Sequence, residues 1–167
     1  KNIDLELINE KSLFKILSLN NTYDNKALLY GVDKIFVSSY FCNVKSNSFT
    51  SFKHTNAVDA IVHNNKTYDE FVLDYANEYV DESDKEMFKI HISREYLINH
   101  LSKTNNRNFI LYKRKTDDSF RWYKLDFIAV GFDINQTLES FIMLVSDVHA
   151  EMNLAYGYKK DLENINK

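Results

Sequence analysis

The stretch from Phe109 to Asp147 constrains the fold more than any other part of the chain. Phe109–Thr116 and Phe120–Val130 are rich in aromatic and β-branched residues, which suit a pleated, half-buried strand. Only Asp117, Asp118 and Ser119 separate them, so the connection is a tight hairpin turn. Leu138–Ser146 reads as a third strand, reached through a short link at Asp133–Gln136. A helix follows from Asp147, whose carboxylate can accept from free backbone N–H groups and suits the positive end of the helix dipole. Three antiparallel strands that deliver straight into a helix give a small domain a way to pass a change in its core onward.

The rest of the chain supplies two more strands and a helical layer. Ile3, Leu7, Phe14 and Leu17 share one face of a helix over Ile3–Leu19, and a short second helix is expected over Asp24–Asp33. Ile35–Val44 reads as a strand, Lys45–Ser48 as a turn and Phe49–Phe52 as the returning strand of a hairpin. His54–Asn65 is polar, with short helical turns expected. Tyr68–Val80 is helical, with Phe71, Tyr75 and Tyr79 on one face. Asp81–Asp84 breaks that helix and offers an N-cap to the next, through Met87 and Phe88. Ser93 caps a further helix that buries Tyr96, Leu97 and Leu101, and Thr104–Asn106 ends the block. The expected class is α+β: one five-stranded antiparallel sheet covered by helices. The boundaries are an N-terminal helical extension over 1–27, the sheet domain over 28–147 and an exit helix over 148–167.

Composition excludes several functions. A chain of 167 residues with 44% hydrophobic residues has material for one core. The net charge of -3 is mild, and the one short basic run, Lys113-Arg114-Lys115, falls on a strand that sends alternate residues to opposite faces. No basic stripe marks nucleic-acid binding. One cysteine, Cys42, allows no internal disulfide and no multi-cysteine metal site. No run of apolar residues reaches the length of a membrane span, and a cytoplasmic location is expected. With no proline and three glycines, the turns fall to Asn, Asp and Ser.

Several motifs taken in order resemble those of a PAS domain, in particular the PAS-like sensor modules upstream of GGDEF-type diguanylate cyclases in low-GC Gram-positive bacteria. The resemblance covers residues 28 to 153. Leu29-Tyr30 through Val44 is similar to the family's opening strand, and Lys45–Phe49 to its Thr-Gly-x-Tyr hairpin, with Asn47 in the place of the glycine. Tyr79–Lys85 resembles the Val-His-Pro-Glu-Asp-Arg turn without its His-Pro pair. Tyr112-Lys113-Arg114 with Phe120–Leu125 is similar to the Tyr-Arg-Arg and Tyr-Arg-Trp-Val-Arg-Leu hairpin. Asp147-Val148-His149 stands where such modules carry Asp-Ile-Thr before the output helix. The resemblance implies a non-catalytic sensory and dimerisation module that relays ligand or partner binding to an output domain. A diguanylate cyclase is the first expectation for that output and a histidine kinase the alternative. A ligand-free interaction domain is the competing reading.

The chemistry-bearing residues are few. Of His54, His63, His91, His100 and His149, no pair has His-x-x-x-His spacing, and none adjoins a cysteine. His91 and His100 fall in the helical block, where a haem ligand would lie; a capping or surface role is the plainer reading. Cys42 lies within a strand rather than in a flavin-reactive Asn-Cys-Arg-Phe motif, which suits a packing residue. No catalytic or metal residue is assigned and no cofactor is expected, neither haem nor flavin, although an unidentified small ligand fits the fold. A catalytic reading needs titratable groups clustered in a cleft, and the sequence offers no tight cluster. Aromatic residues make up 14% of the chain, and Phe71, Tyr75, Tyr79, Phe88, Tyr112 and Trp122 are the candidate ligand pocket. Asp147 is the candidate relay residue. In the exit helix, Val148, Ala155 and Leu162 alternate with Glu151, Tyr158 and Ile165 at heptad spacing, so a homodimer through the flanking helices is expected.

Overall fold

The structure is a computed structural model that describes residues 34–165. Five strands, β1 (Ser38–Asn43), β2 (Ser48–Lys53), β3 (Arg107–Lys115), β4 (Phe120–Phe132) and β5 (Leu138–Asp147), form one antiparallel sheet in the order β2-β1-β5-β4-β3. Between β2 and β3 lie a 3-10 turn at Asn56–Val58 and four short helices: α1 (Asp59–Asn64), α2 (Tyr68–Tyr79), α3 (Lys85–Ile92) and α4 (Arg94–His100). The exit helix α5 is His149–Ile165. The α+β architecture read from the sequence is the observed one. The helices expected over Ile3–Leu19 and Asp24–Asp33 lie outside the described residues. The exit helix begins at His149 rather than Asp147, because Asp147 still pairs with Tyr123 as the last residue of β5.

Local chemistry sets the element ends. Asn47 turns the β1–β2 hairpin at φ 52, the left-handed conformation that asparagine tolerates in place of glycine. Its side chain and carbonyl also receive the Asp69 and Tyr68 N–H groups at 3.1 and 3.0 Å. Thr67 and Glu70 close a capping box on α2. Ser93 caps α4 through the Tyr96 N–H, as its sequence position implies. Asp84 starts α3 without a side-chain cap, since its carboxylate instead accepts from the Lys113 N–H at 2.7 Å. That bond, the Asp81 N–H to the Lys113 carbonyl at 2.8 Å and a Val80–Arg114 bridge attach the α2–α3 link to the β3 edge. Arg94 fastens the other end of the layer, with its guanidinium on Asp69 (closest approach 2.5 Å) and on the Val44 carbonyl at 2.9 Å.

The core lies between the helices and one face of the sheet. Tyr40, Cys42, Ile110, Tyr112, Leu125, Phe127, Phe141, Met143 and Val145 project from the strands toward Tyr68, Phe71, Tyr75, Phe88 and Leu97 of the helices, all buried. Ile128, Ile142 and Leu144 are buried on the opposite face, with Phe36, Phe41 and Val130 packed against them. Asp126, 2% exposed on that same face, accepts from Arg107 at 3.0 Å and lies 3.1 Å from the Lys124 ammonium. Two cations therefore compensate a buried carboxylate that nothing in the local sequence marks.

Phe88 is fully buried, so Phe88→Ala is expected to cost about 3–5 kcal/mol in urea unfolding. Phe109→Ala, at a position half exposed on the other face of β3, is expected to cost less than about 1 kcal/mol. Burial, the largest cause in each case, raises the pKa of the Tyr40, Tyr68, Tyr75 and Tyr112 phenols above the ordinary value. The unfolded chain then releases phenolic protons near pH ~10 that the folded chain still holds. Stability from this source is full below about pH 10 and declines as pH rises beyond it. Urea midpoints at about pH 8 and about pH 11, read beside phenolate absorbance, check this; four buried phenols ionising near pH ~10 without loss of stability would contradict it.

Candidate functional site

The helix–sheet interface is an aromatic wall with a small gap behind it. Helix α2 turns Tyr68, Phe71, Val72, Tyr75 and Ala76 inward. Phe71 stacks on Phe49 with centroids 4.5 Å apart and meets Tyr40 at 5.1 Å. Phe88 of α3 bridges Tyr75 at 5.9 Å and Tyr112 at 4.7 Å. The Tyr75 and Tyr112 hydroxyls are hydrogen-bonded to each other at 2.6 Å, which satisfies two polar groups inside the core. The remaining cavity of about 20 Å³ touches Ser38, Tyr40, Phe71, Tyr75, Phe88 and Tyr112, with Leu125, Met143 and Val145 on the sheet side. That volume holds about one water, whereas small-molecule sites are typically ~300–1,000 Å³.

A buried cation borders this wall. Arg114 is 8% exposed, and its guanidinium lies 4.9 Å from the Tyr79 ring centroid, 5.3 Å from Tyr123 and 6.0 Å from Tyr75. Its charge is met by the negative faces of three tyrosines. The Tyr79 hydroxyl donates to the Ala57 carbonyl, tying α2 to the 3-10 turn.

Four of the six residues expected in the pocket are brought together there: Phe71, Tyr75, Phe88 and Tyr112. Tyr79 meets Tyr75 at a tilt, with centroids 5.4 Å apart, and packs with Arg114 at the edge but does not line the cavity. Trp122 is corrected outright. It pairs with Lys113 on the opposite face of the sheet and stacks against Tyr156 of α5, with centroids 6.2 Å apart. The inward residue of that segment is Tyr123, paired with Tyr112. Counting two residues at a time from the Arg121–Arg114 pair finds it. His91 and His100 do not line the cavity either. Each contacts a carbonyl four residues back through Nδ1, Met87 at 2.7 Å and Tyr96 at 2.8 Å, and the two rings flank Tyr96. Cys42 is a buried packing residue whose thiol burial pushes well above its ordinary range, so it is neither nucleophile nor ready ligand.

The second feature is the junction between sheet and exit helix. One oxygen of Asp147, Oδ2, accepts from Arg121 of β4 at 2.9 Å (Nε) and lies 2.8 Å from Nη2. The other, Oδ1, accepts from the His149 N–H at 3.0 Å, at the first residue of α5. The Val148 N–H donates to the Trp122 carbonyl at 3.0 Å. From Leu154 onward the described side chains of the helix are exposed, and Leu154, Tyr158, Leu162 and Ile165 present apolar side chains to solvent.

No protein-family model matches this sequence, and a search of curated proteins finds no relative. Solved structures do match. A sensory box histidine kinase/response regulator from Burkholderia thailandensis superposes with a TM-score of 0.50 at 11% identity, over 83% of this chain and 97% of that one. The N-terminal domain of a diguanylate cyclase with PAS/PAC sensor from Marinobacter aquaeolei gives 0.45 at 14% identity, over 69% and 97%. The PAS domain of Bordetella pertussis BvgS gives 0.43 at 14%, over 81% and 98%. No helix among the described residues is long and apolar enough to cross a membrane. With strand order β2-β1-β5-β4-β3, the helical layer inserted between β2 and β3 and a sensory-box structure as its neighbour, the chain has the PAS fold.

Proposed function

We propose that this chain is a cytoplasmic, non-catalytic PAS-type sensory and dimerisation module that passes a change in its core to an output domain through α5. The observation that carries the reading is the double engagement of Asp147. One carboxylate joins strand β4, through Arg121, to the first backbone N–H of the exit helix. A shift of β4 against β5 must therefore either move the start of α5 or break one of these bonds. The sensory-box neighbour supports a sensory role. The Tyr112–Arg114 and Phe120–Leu125 hairpin motifs favour a diguanylate cyclase as the output, with a histidine kinase second.

The exposed stripe of Leu154, Tyr158, Leu162 and Ile165 supports pairing of two copies through α5. Gly157 sits within that helix with nothing within 4 Å of a Cβ placed on it, and glycine there costs about 1 kcal/mol relative to alanine. A helix that pairs marginally is one whose pairing a few kcal/mol can shift.

The filled core favours a second reading beside the first. A cavity of about 20 Å³ admits no drug-sized ligand unless Phe71, Tyr75 or Phe88 moves, so a partner docking on the module is a competing input. Native mass spectrometry of the purified chain separates them, since a retained small molecule selects the ligand reading. The relay itself is tested with Asp147→Ala in the parent protein. The variant is expected to keep its fold by circular dichroism and to lose most of the difference between stimulated and unstimulated output. A normal response from the variant would end the relay proposal.

A further inference from the structure

Away from both the cavity and the junction, one group of side chains has the makings of a metal site. His54 follows the end of β2, while Asp59 and His63 lie one turn apart on α1. One ligand atom from each lies within 4.8 Å of the other two. His54 Nε2 is 2.9 Å and His63 Nδ1 3.3 Å from the same oxygen, Asp59 Oδ1. Donors held ~2.05 Å from a tetrahedral zinc ion are about 3.4 Å apart, so both His–Asp separations already lie within about half an ångström of that spacing.

Three further observations support a built site. Ser51 Oγ is 2.8 Å from His54 Nδ1 and orients the ring so that Nε2 faces Asp59. A serine hydroxyl can donate to Nδ1 when Nε2 carries the proton and accept from it when Nε2 binds a metal, so this contact serves both states. The intervening segment is held in place: Val58 is buried, its N–H donates to the Thr55 carbonyl at 3.0 Å, and Tyr79 grips the Ala57 carbonyl. The two imidazoles meet edge to face with centroids 5.9 Å apart, and His54 is only 21% exposed while Asp59 and His63 open to solvent.

We infer that His54, Asp59 and His63 form a binding site for a divalent transition-metal ion of the zinc or copper class, with a coordination position left to solvent. Two imidazoles and one carboxylate suit those ions; magnesium and calcium require oxygen donors. On binding, Asp59 supplies a carboxylate oxygen, each histidine coordinates as a neutral imidazole with its proton on the ring nitrogen away from the ion, and His63 Nδ1 releases its 2.9 Å contact with the Asp59 carbonyl. The site stands whether or not the module relays a signal, because its test reads metal uptake alone.

That test is calorimetric titration of the tag-free 167-residue chain with zinc chloride, beside magnesium chloride. The expected result is one zinc per chain and no magnesium uptake. His54→Ala, Asp59→Asn and His63→Ala should each weaken zinc binding at least about tenfold, and Ser51→Ala, which removes no ligand, by about tenfold. Circular dichroism establishes that the variants are folded, and ligand-field bands with cobalt in the intact chain give a readout independent of any substitution. Zinc binding no tighter in the intact chain than in the His54→Ala/His63→Ala double variant would overturn the assignment. So would binding lost in His91→Ala/His100→Ala but kept in that double variant.

Discussion

Strand β5 is buried on both faces, and most of the structure depends on that. It lies between β1 and β4 in the middle of the sheet. Phe141, Met143 and Val145 point into the aromatic core, and Ile142 and Leu144 into the cluster on the other side. A strand with no solvent face cannot slip by one residue without burying the wrong set on each side. The same strand ends at Asp147, so a strand buried on both faces leads directly to the residue that receives the exit helix. In the proposed relay, motion in the aromatic layer would reach α5 through a strand that cannot absorb it by sliding.

The tyrosine-rich inner face is both filling and polar network. Tyr75 and Tyr112 satisfy each other, and among the described residues the Arg114 charge meets three tyrosine rings rather than a carboxylate within ion-pair range. Such a network loses more when one member moves than an aliphatic core would, because the group left behind is buried without a partner. A signal that displaces Tyr75 or Tyr79 would therefore be felt at β3 and β4 together. In the proposed relay, the Arg121–Asp147 ion pair would carry it from β4 to the start of α5.

Much of this was legible in the sequence because it follows from local rules. The three C-terminal strands, the Asn47 turn, the α2 face and the Ser93 cap each rest on residues close in the chain. The pocket was only partly legible. Helical spacing placed Phe71 and Tyr75 correctly, but choosing Trp122 over Tyr123 required the hairpin register, and aromatic character alone does not supply it. Buried Asp126 and Arg114 could not be recognised, because their partners arrive from other strands and helices. The His54–Asp59–His63 group was hidden for a related reason. Only once Asp59–Asn64 is known to be helical do Asp59 and His63 face one way, and only the packed turn before α1 brings His54 to them.

The central claim is that the Asp147 carboxylate holds the exit helix to β4 through Arg121. Amide hydrogen exchange in Arg121→Ala tests it most directly, because it reads the start of α5 without needing the signal or the output domain. The account predicts that the amides of His149 and the first turn of α5 exchange at least about threefold faster, equivalent to ~0.7 kcal/mol, while the β5 amides from Phe141 to Val145 keep their protection. Unchanged exchange at the start of α5 would mean that the ion pair does not hold the helix, and the coupling would have to be sought elsewhere.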